Sequence, residues 1–337
     1  MARVKLEARR DTLRLAVPFR ITGYVFEETE IVLVTLSDGR HEGRGEGAGV
    51  YFLGDDADRM IADIEAARGE IETGIGRDGL RALMPAGGGR NAVDCAMWEL
   101  DAARSGLPAW KLAGIESPRP LLTTFTLGAA APEAMAAEAC GHAGARAIKI
   151  KLTGEAELDL ARVEAIRRAC PELWLGVDAN QGYDRRGLGW LAEALLEFRI
   201  SQIEQPLRRG AEADLDGYRS PIPLVADESV LVAADLPGLA GRFDMINIKL
   251  DKCGGLTEAL AMVEEARRLG LGLMVGNMIG SSLAMAPAYI LGQHCDIVDL
   301  DGPTFLARDR SPGVVYRDGH ILCGDEVWGG GGGKLAA

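Results

Sequence analysis

From Ala147 to Leu152 the chain reads AIKIKL, and the same grammar returns as WLGVDAN at 174–180, QIEQP at 202–206, VADES at 225–229, INIKL at 246–250 and IVDLDG at 297–302. Each is a short apolar run that carries an acid or a lysine toward its end: Lys149 and Lys151, Asp178, Glu204, Asp227, Lys249, and Asp299 with Asp301. An ionisable group is costly in an apolar strand unless it is paired or holds a metal. One such strand carries little information. A series in even register describes a single site assembled from many strand ends.

The surrounding chain fits that reading. From Leu122 onward, strand patterns at 123–128, 147–152, 173–179, 201–206, 223–229, 245–250, 272–277 and 297–302 alternate with helical patterns. The helices are PEAMAAEACGHAG, EAELDLARVEAIRRAC, RRGLGWLAEALLEF, GGLTEALAMVEEARRLG and SSLAMAPAYILGQ, while the intervals 207–220 and 230–242 are shorter and less periodic. Eight strands alternating with helices make an α/β protein built on a TIM-like (β/α) barrel. An open Rossmann sheet is the alternative, weakened because no G-x-G-x-x-G follows the first strand.

The first third is organised differently. EIVLVTL at 30–36 reads as a strand, followed by the turn SDGR and a glycine-rich GRGEGAG. A helix is expected over 57–72 and another after Asn91, where Val93, Met97 and Leu100 form an apolar stripe stopped by Gly106 and Pro108. This predicts an α+β lobe over 1–118 and a barrel over 119–307. The segment from Arg308, with GVVYR and HILC around RDGH, is expected to return to the first lobe, and GGGGGKLAA at 329–337 reads as a flexible tail.

Composition bounds the function. With 47% hydrophobic and 26% charged residues, the 337-residue chain looks globular and soluble. A net charge of −13 argues against nucleic acid, whose phosphates require surplus Lys and Arg. Six scattered cysteines without a CxxC pair read as reduced thiols. Neither a signal-like N-terminus nor a run of about twenty apolar residues is present, so a cytoplasmic protein without a membrane partner is expected. Exposed barrel helices would also allow a homo-oligomer.

The strand ends specify chemistry. Asp178, Glu204 and Asp227 sit on three consecutive strands at the end where barrel enzymes build their sites. Three carboxylates at close range do not all stay ionised without a cation. An oxygen-only set favours Mg²⁺, with Mn²⁺ next. The competing reading makes each acid a helix cap or the partner of a barrel arginine, which is harder to sustain for three in register. Lys149 and Lys151, two residues apart, face the barrel interior together. A buried ammonium beside another is expected to have a lowered pKa, which suits a base. Lys249 lies four strands away, on the opposite wall, whereas Lys252 reads as a snorkelling surface residue. Lysines facing each other across a metal suit removal of a proton from one face of a carbon acid and its return to the other. A divalent metal on the carboxylate stabilises the enediolate between these steps.

K-x-K, D-A-N, E-Q-P, D-E-S and NIKLDKCGGLTEA, in this order, resemble the enolase superfamily and within it the muconate-lactonizing-enzyme subgroup; NAVDCAMWELDAARSG and GLPAWKLAG resemble that family's capping domain. The resemblance covers nearly the whole chain. It implies a (β/α)7β barrel capped by segments from both termini, 1–118 and 308–337. It implies Mg²⁺ on Asp178, Glu204 and Asp227, Lys151 and Lys249 as acid/base catalysts, and Lys149 assisting electrostatically. The mandelate racemase branch is excluded, since it uses a His–Asp pair where Lys249 stands.

Asp299-x-Asp301 resembles the motif by which dipeptide epimerases hold a substrate ammonium group, and paired carboxylates suit a cation. The competing reading is a turn at Asp301-Gly302. LMPAGGGRNAVDCAMWEL and DLDGPTFLA are similar to bacterial epimerases of L-Ala-D/L-Glu that serve cell-wall peptide recycling. The resemblance thus implies a dipeptide substrate, with Thr124 and Arg20 as further contacts. One departure stands out. In the first capping loop, PFRITGYVFEE, Gly23 falls where those enzymes place an arginine for the glutamate side chain, and Arg20 sits earlier. The second loop, GVYFLGDD, offers Tyr51 and Phe52, which suit an apolar side chain. Two alternatives keep the fold: an N-acylamino acid racemase, o-succinylbenzoate synthase or muconate cycloisomerase, and a catalytically silent carboxylate-binding protein.

Overall fold

A computed structural model of the chain describes residues 3–21, 24–142 and 144–331. Gly23 and the end of the tail, 332–337, lie outside the described residues. Three strands open the chain, β1 (Lys5–Ile21), β2 (Tyr24–Ser37) and β3 (Glu42–Ala48), forming an antiparallel sheet in that order. Helices α1 (Ala57–Glu72), α2 (Arg77–Leu83) and α3 (Gly88–Ser105) follow. PFRI at 18–21 and YVFEE at 24–28 therefore lie in paired strands rather than in a loop. The alternation is hidden by a register shift between Arg14 and Phe19.

In β2 the two faces go to different cores. Val32, Val34 and Leu36 pack with Met60 and Ile64 of α1, while Ile31 and Leu33 join the barrel core. The strand is buried on both sides, which is why EIVLVTL is almost wholly apolar. β3 shows why a glycine-rich run can be a strand. Gly43, Gly45 and Gly47 face α3 so closely that an added Cβ would lie 2.1 Å from the Ala96 carbonyl oxygen, 1.9 Å from that of Ala92 and 2.0 Å from that of Gly88. Those three carbonyls are four residues apart, one row of the helix. Gly45→Ala should therefore destabilise the fold by about 1–3 kcal/mol through overpacking against backbone. Urea unfolding would show the drop, and an unchanged midpoint would contradict this packing.

After α4 (Ala109–Leu112) and β4 (Leu121–Leu122) comes the barrel. Its strands are β5 (Phe125–Leu127), β6 (Ala147–Lys151), β7 (Trp174–Asp178), β8 (Ile203–Glu204), β9 (Leu224–Ala226), β10 (Met245–Ile248), β11 (Gly272–Val275) and β12 (Ile297–Val298), hydrogen-bonded in sequence order. Every strand expected from 123 onward is present, and neighbouring strands are parallel. The Thr124 N–H donates to the Val298 carbonyl at 2.9 Å, bringing the two edges together. The fold is the α/β, TIM-like (β/α)7β barrel with an added α+β lobe.

Helices α5 (Pro132–Gly141), α6 (Ala156–Ala169), α7 (Arg185–Leu196), α10 (Leu256–Leu269) and α11 (Ser282–Gly292) occupy the five strongly periodic intervals. The two weaker intervals hold a 3-10 turn at Glu212–Leu215 and the short α8 (Leu236–Leu239). A further short helix, α9 (Leu250–Cys253), directly follows Lys249. The last strands, β13 (Val315–Arg317) and β14 (His320–Leu322), form an antiparallel pair whose β14 also pairs with β4, while Arg310 reaches Glu46 at 3.0 Å and Gly329 N–H reaches Glu99 at 3.0 Å. No helix among the described residues is long and apolar enough to cross a membrane.

The N-terminal lobe grips the barrel through buried polar groups. Asp251 of α9 accepts from the Ala48 N–H at 2.9 Å and from Asn91 of α3 at 2.8 Å. Arg90 donates to the Gly254 and Cys253 carbonyls, and Thr257 N–H donates to Asp94 at 3.0 Å. These contacts converge on the segment immediately after Lys249.

Candidate active site

Parallel pairing aligns Lys151 of β6 with Asp178 of β7, and Asp178 with Glu204 of β8. Asp227 and Lys249 lie one residue beyond β9 and β10, so the same end of the barrel carries them all. The carboxylate oxygens of Asp178, Glu204 and Asp227 lie within 4.8 Å of one another, and the three side chains are buried.

Each acid has its own set of partners. Asp178 accepts from Lys151 Nζ at 2.6 Å and from the Asn180 N–H at 2.9 Å. Asp227 accepts from Lys249 Nζ at 2.7 Å and also from Lys252 Nζ. Glu204 Oε1 accepts from Asn247 Nδ2 at 2.7 Å, while its Oε2 is buried with no hydrogen bond and has Lys149 Nζ 3.5 Å away as an ionic neighbour. Burial pushes the Glu204 carboxyl up to about 8, and the charges of Asp178 and Asp227 add to the rise against the opposing pull of Lys149. A buried, unsatisfied carboxylate oxygen among three acids is the feature that a divalent, oxygen-seeking cation would resolve. The residues present fit Mg²⁺.

The lysines depart from expectation. Burial lowers the Lys249 pKa, but Asp227 and Glu204 more than reverse this and hold it above the usual lysine range. Lys149 is raised in the same way, its burial offset by Asp299 and Glu204. At Lys149 and Lys249 the lowered pKa expected of neighbouring ammonium groups therefore does not hold, because each sits beside a carboxylate from another strand, whereas burial and the Lys249 charge do lower Lys252. For Asp227 the balance runs the other way: burial raises it, while Lys249 and Lys252 hold it well below the carboxylate range.

Lys252 is not a surface residue. It is 1% exposed, and its ammonium donates to the Asp227 carboxylate and backbone carbonyl and to the Asn247 carbonyl at 3.0 Å. The α9 turn folds the residue back beneath Asp227, so strand periodicity gave no signal for it. Lys252→Ala should free one Asp227 oxygen and weaken Mg²⁺ binding by about 10–100-fold. Calorimetric titration with Mg²⁺ would measure this, and an unchanged affinity would show that Lys252 does not position the acid. Asn247 was also missed, although it stands two residues before Lys249 and so shares its inward face. The same spacing drew attention to Lys149 and Lys151. Beyond Asp178, Asn180 and Gln181 adopt left-handed backbone with φ of 42° and 65°. Such conformations in non-glycine residues are uncommon and concentrate at functional sites.

Above these groups lies a cavity of about 450 Å³ between the N-terminal lobe and the barrel. Lys151, Asp227, Lys249, Asn180 and Asn277 form its polar floor, and Phe19, Phe26, Tyr51, Phe52, Met278 and Ile279 its apolar walls. Lys151 on β6 and Lys249 after β10 stand four strands apart in a ring of eight.

The remaining sequence-predicted residues are placed less directly. Asp299 and Asp301 are buried but do not line the cavity. Asp299 is paired with Lys149 and accepts from Thr124 Oγ1, and Asp301 accepts from the Thr126 N–H at 2.6 Å. Burial and the Asp299 charge push the Asp301 carboxyl up to about 7. Thr124 belongs to this second cluster. Arg20 is exposed and absent from the cavity wall, where its neighbour Phe19 appears instead, because alternation along β1 turns adjacent side chains to opposite faces.

A family model described as enolase C-terminal domain-like matches residues 133–326. The L-Ala-D/L-Glu epimerase of Escherichia coli (strain K12) is 38% identical over 309 residues, 91% of this chain and 96% of that protein. A solved enolase family member from Agrobacterium tumefaciens with homology to dipeptide epimerases, bound to sodium and L-Ala-L-Glu, is 40% identical with a TM-score of 0.92, covering 97% of this chain and 100% of that one. The dipeptide epimerase of Enterococcus faecalis V583 complexed with Mg and L-Leu-L-Tyr has a TM-score of 0.89 at 27% identity, covering 96% of this chain and 97% of that one.

Proposed function

The chain belongs to the enolase C-terminal domain-like family, and from that premise we propose that it is a Mg²⁺-dependent dipeptide epimerase inverting the α-carbon of the C-terminal residue by two-base 1,1-proton transfer. It is an isomerase acting on an amino-acid derivative. The observation that carries the reading is the placement of Lys151 and Lys249 on opposite sides of one cavity floor, each hydrogen-bonded to an acid of the buried triad. Segments 1–118 and 308–337 serve as the cap and 119–307 as the catalytic barrel, working in the cytoplasm on a small-molecule dipeptide.

Asp178, Glu204 and Asp227 would hold the ion. A bound Mg²⁺ would supply positive charge beside the substrate carboxylate, stabilising the negative charge that develops there. Lys151 and Lys249 then differ only in the face of the α-carbon they address. One accepts the proton from its face while the other, as an ammonium, donates to the opposite face. Lys149, fixed between Asp299 and Glu204, adds positive charge beneath the substrate. Lys252 keeps Asp227 in place. Asp299 and Asp301, with Thr124, supply negative potential on the last-strand side for the dipeptide's ammonium group, acting at longer range than direct contact from the cavity wall. Arg20 remains an assignment from family resemblance alone, outside the cavity.

Incubating the Mg²⁺-loaded protein with a library of L,L-dipeptides in D₂O and reading α-deuterium by mass tests the proposal. Incorporation with inversion at the C-terminal residue is expected. No incorporation in any dipeptide would overturn it. N-succinyl amino acids as the preferred substrates, unaffected by Asp301→Ala, would favour the N-acylamino acid racemase reading.

A further inference from the structure

With Asp227, Lys151 and Lys249 on the floor of the cavity, its walls are left to select the side chain. The upper wall is apolar: Phe26, Tyr51 and Phe52 of the N-terminal lobe face Met278 and Ile279 of the barrel. The rings are already packed, with Phe26 and Tyr51 centroids 5.7 Å apart, Tyr51 and Phe52 5.4 Å, and Tyr24 and Tyr51 4.6 Å. A preformed wall needs little ordering when a side chain enters.

Charge narrows the choice. Among the described lining residues the cations are Lys151 and Lys249, both on the floor and both paired. Thr22 and Gly23, which lie outside the described residues, are uncharged types. The lining acids do not form a cation cage either. Asp55 accepts from the Gly88 N–H at 3.0 Å, Asp56 caps α1 through the Arg59 N–H at 2.9 Å, and Glu30 pairs with Arg10 at 3.8 Å. Glu28 remains as an exposed carboxylate at the cavity mouth. A glutamate side chain entering here would lose water, meet aromatic rings, and face like charge without a counter-cation.

Resting on the epimerase reading, we infer that the cavity is specific for dipeptides whose inverted residue carries an uncharged apolar side chain, such as leucine, methionine, phenylalanine or tyrosine, and discriminates against glutamate. Phe26 and Tyr51 are the specificity-determining residues.

The test is the ratio of kcat/KM for L-Ala-L-Leu, L-Ala-L-Phe, L-Ala-L-Glu and L-Ala-L-Lys, read as α-deuterium uptake in D₂O. The apolar dipeptides should lead L-Ala-L-Glu by about tenfold or more, with L-Ala-L-Lys also below them. L-Ala-L-Glu or L-Ala-L-Lys matching or exceeding the apolar pair would overturn the inference while leaving the epimerase reading intact. Failure of all four to exchange, together with the wider library, would sink the epimerase reading itself. Phe26→Arg supplies a second measurement, since it places a cation on the wall of a partly exposed position. It should shift the Glu-to-Leu ratio toward Glu by about tenfold. An unchanged ratio would overturn the assignment of Phe26.

Discussion

Lys249→Ala should abolish epimerisation while still exchanging the α-proton of one epimer, and Lys151→Ala should spare exchange on the other. The asymmetry follows from geometry. Each lysine serves one face of the α-carbon, so removing one leaves the other able to take a proton from its own face and return a solvent deuteron there. Inversion needs both. Loss of a positioned general acid or base costs about 10²–10⁴-fold. The fold should tolerate either change. Asp227 keeps Lys252 when Lys249 is lost, and Asp178 keeps the Asn180 N–H when Lys151 is lost. Proton NMR of each pure epimer in D₂O, with each variant, measures the effect. Exchange on both epimers in one variant would contradict the assignment of one lysine per face.

Chelation, or Glu204→Gln, should remove activity by about 10³-fold or more, since several kcal/mol of charge stabilisation are lost and each 1.36 kcal/mol is tenfold. Glu204 is the informative acid because its Oε2 is buried without a hydrogen bond. The amide would keep a partner for Asn247 but bring no charge to the cation. A second readout is independent of turnover. Mg²⁺ at about a hundredfold excess over its Kd should stabilise the wild-type protein by about 2.7 kcal/mol and the Gln variant far less. Thermal unfolding with and without Mg²⁺ would register the difference. Equal stabilisation of both proteins would place the ion elsewhere.

Much of this site was legible in the sequence because strand geometry is simple. Side chains two apart share a face, so AIKIKL placed both Lys149 and Lys151 inward, and consecutive strands ending in Asp178, Glu204 and Asp227 had to converge once the ring closed. What escaped depends on geometry that the period of two does not encode. Lys252 lies in a helical turn after the strand and folds back under Asp227. The raised pKa values of Lys149 and Lys249 follow from carboxylates on other strands that outweigh the effect of burial. Phe19 and Phe26 reach the cavity because a register shift in β1 and the hairpin with β2 aim them there, so a stretch that looks like loop is strand. GRGEGAG hides its strand for the opposite reason: glycine disfavours strands, and only the row of α3 carbonyls against Gly43, Gly45 and Gly47 explains it.

The metal acids also explain why the lysines stand as they do. Lys151 pairs with Asp178, and Lys249 and Lys252 pair with Asp227, so the buried charges of the cluster are matched by opposite ones. The same pairing keeps both bases within reach of one cavity floor.

The central claim is transfer between two opposed lysines, and one measurement addresses it directly. Following a pure L,L-dipeptide in D₂O at early times, the account predicts that the inverted product carries α-deuterium from its first appearance, delivered by the lysine opposite the one that removed the proton. Product that retains the original α-protium would mean that a single group moved the proton across, and would contradict the account.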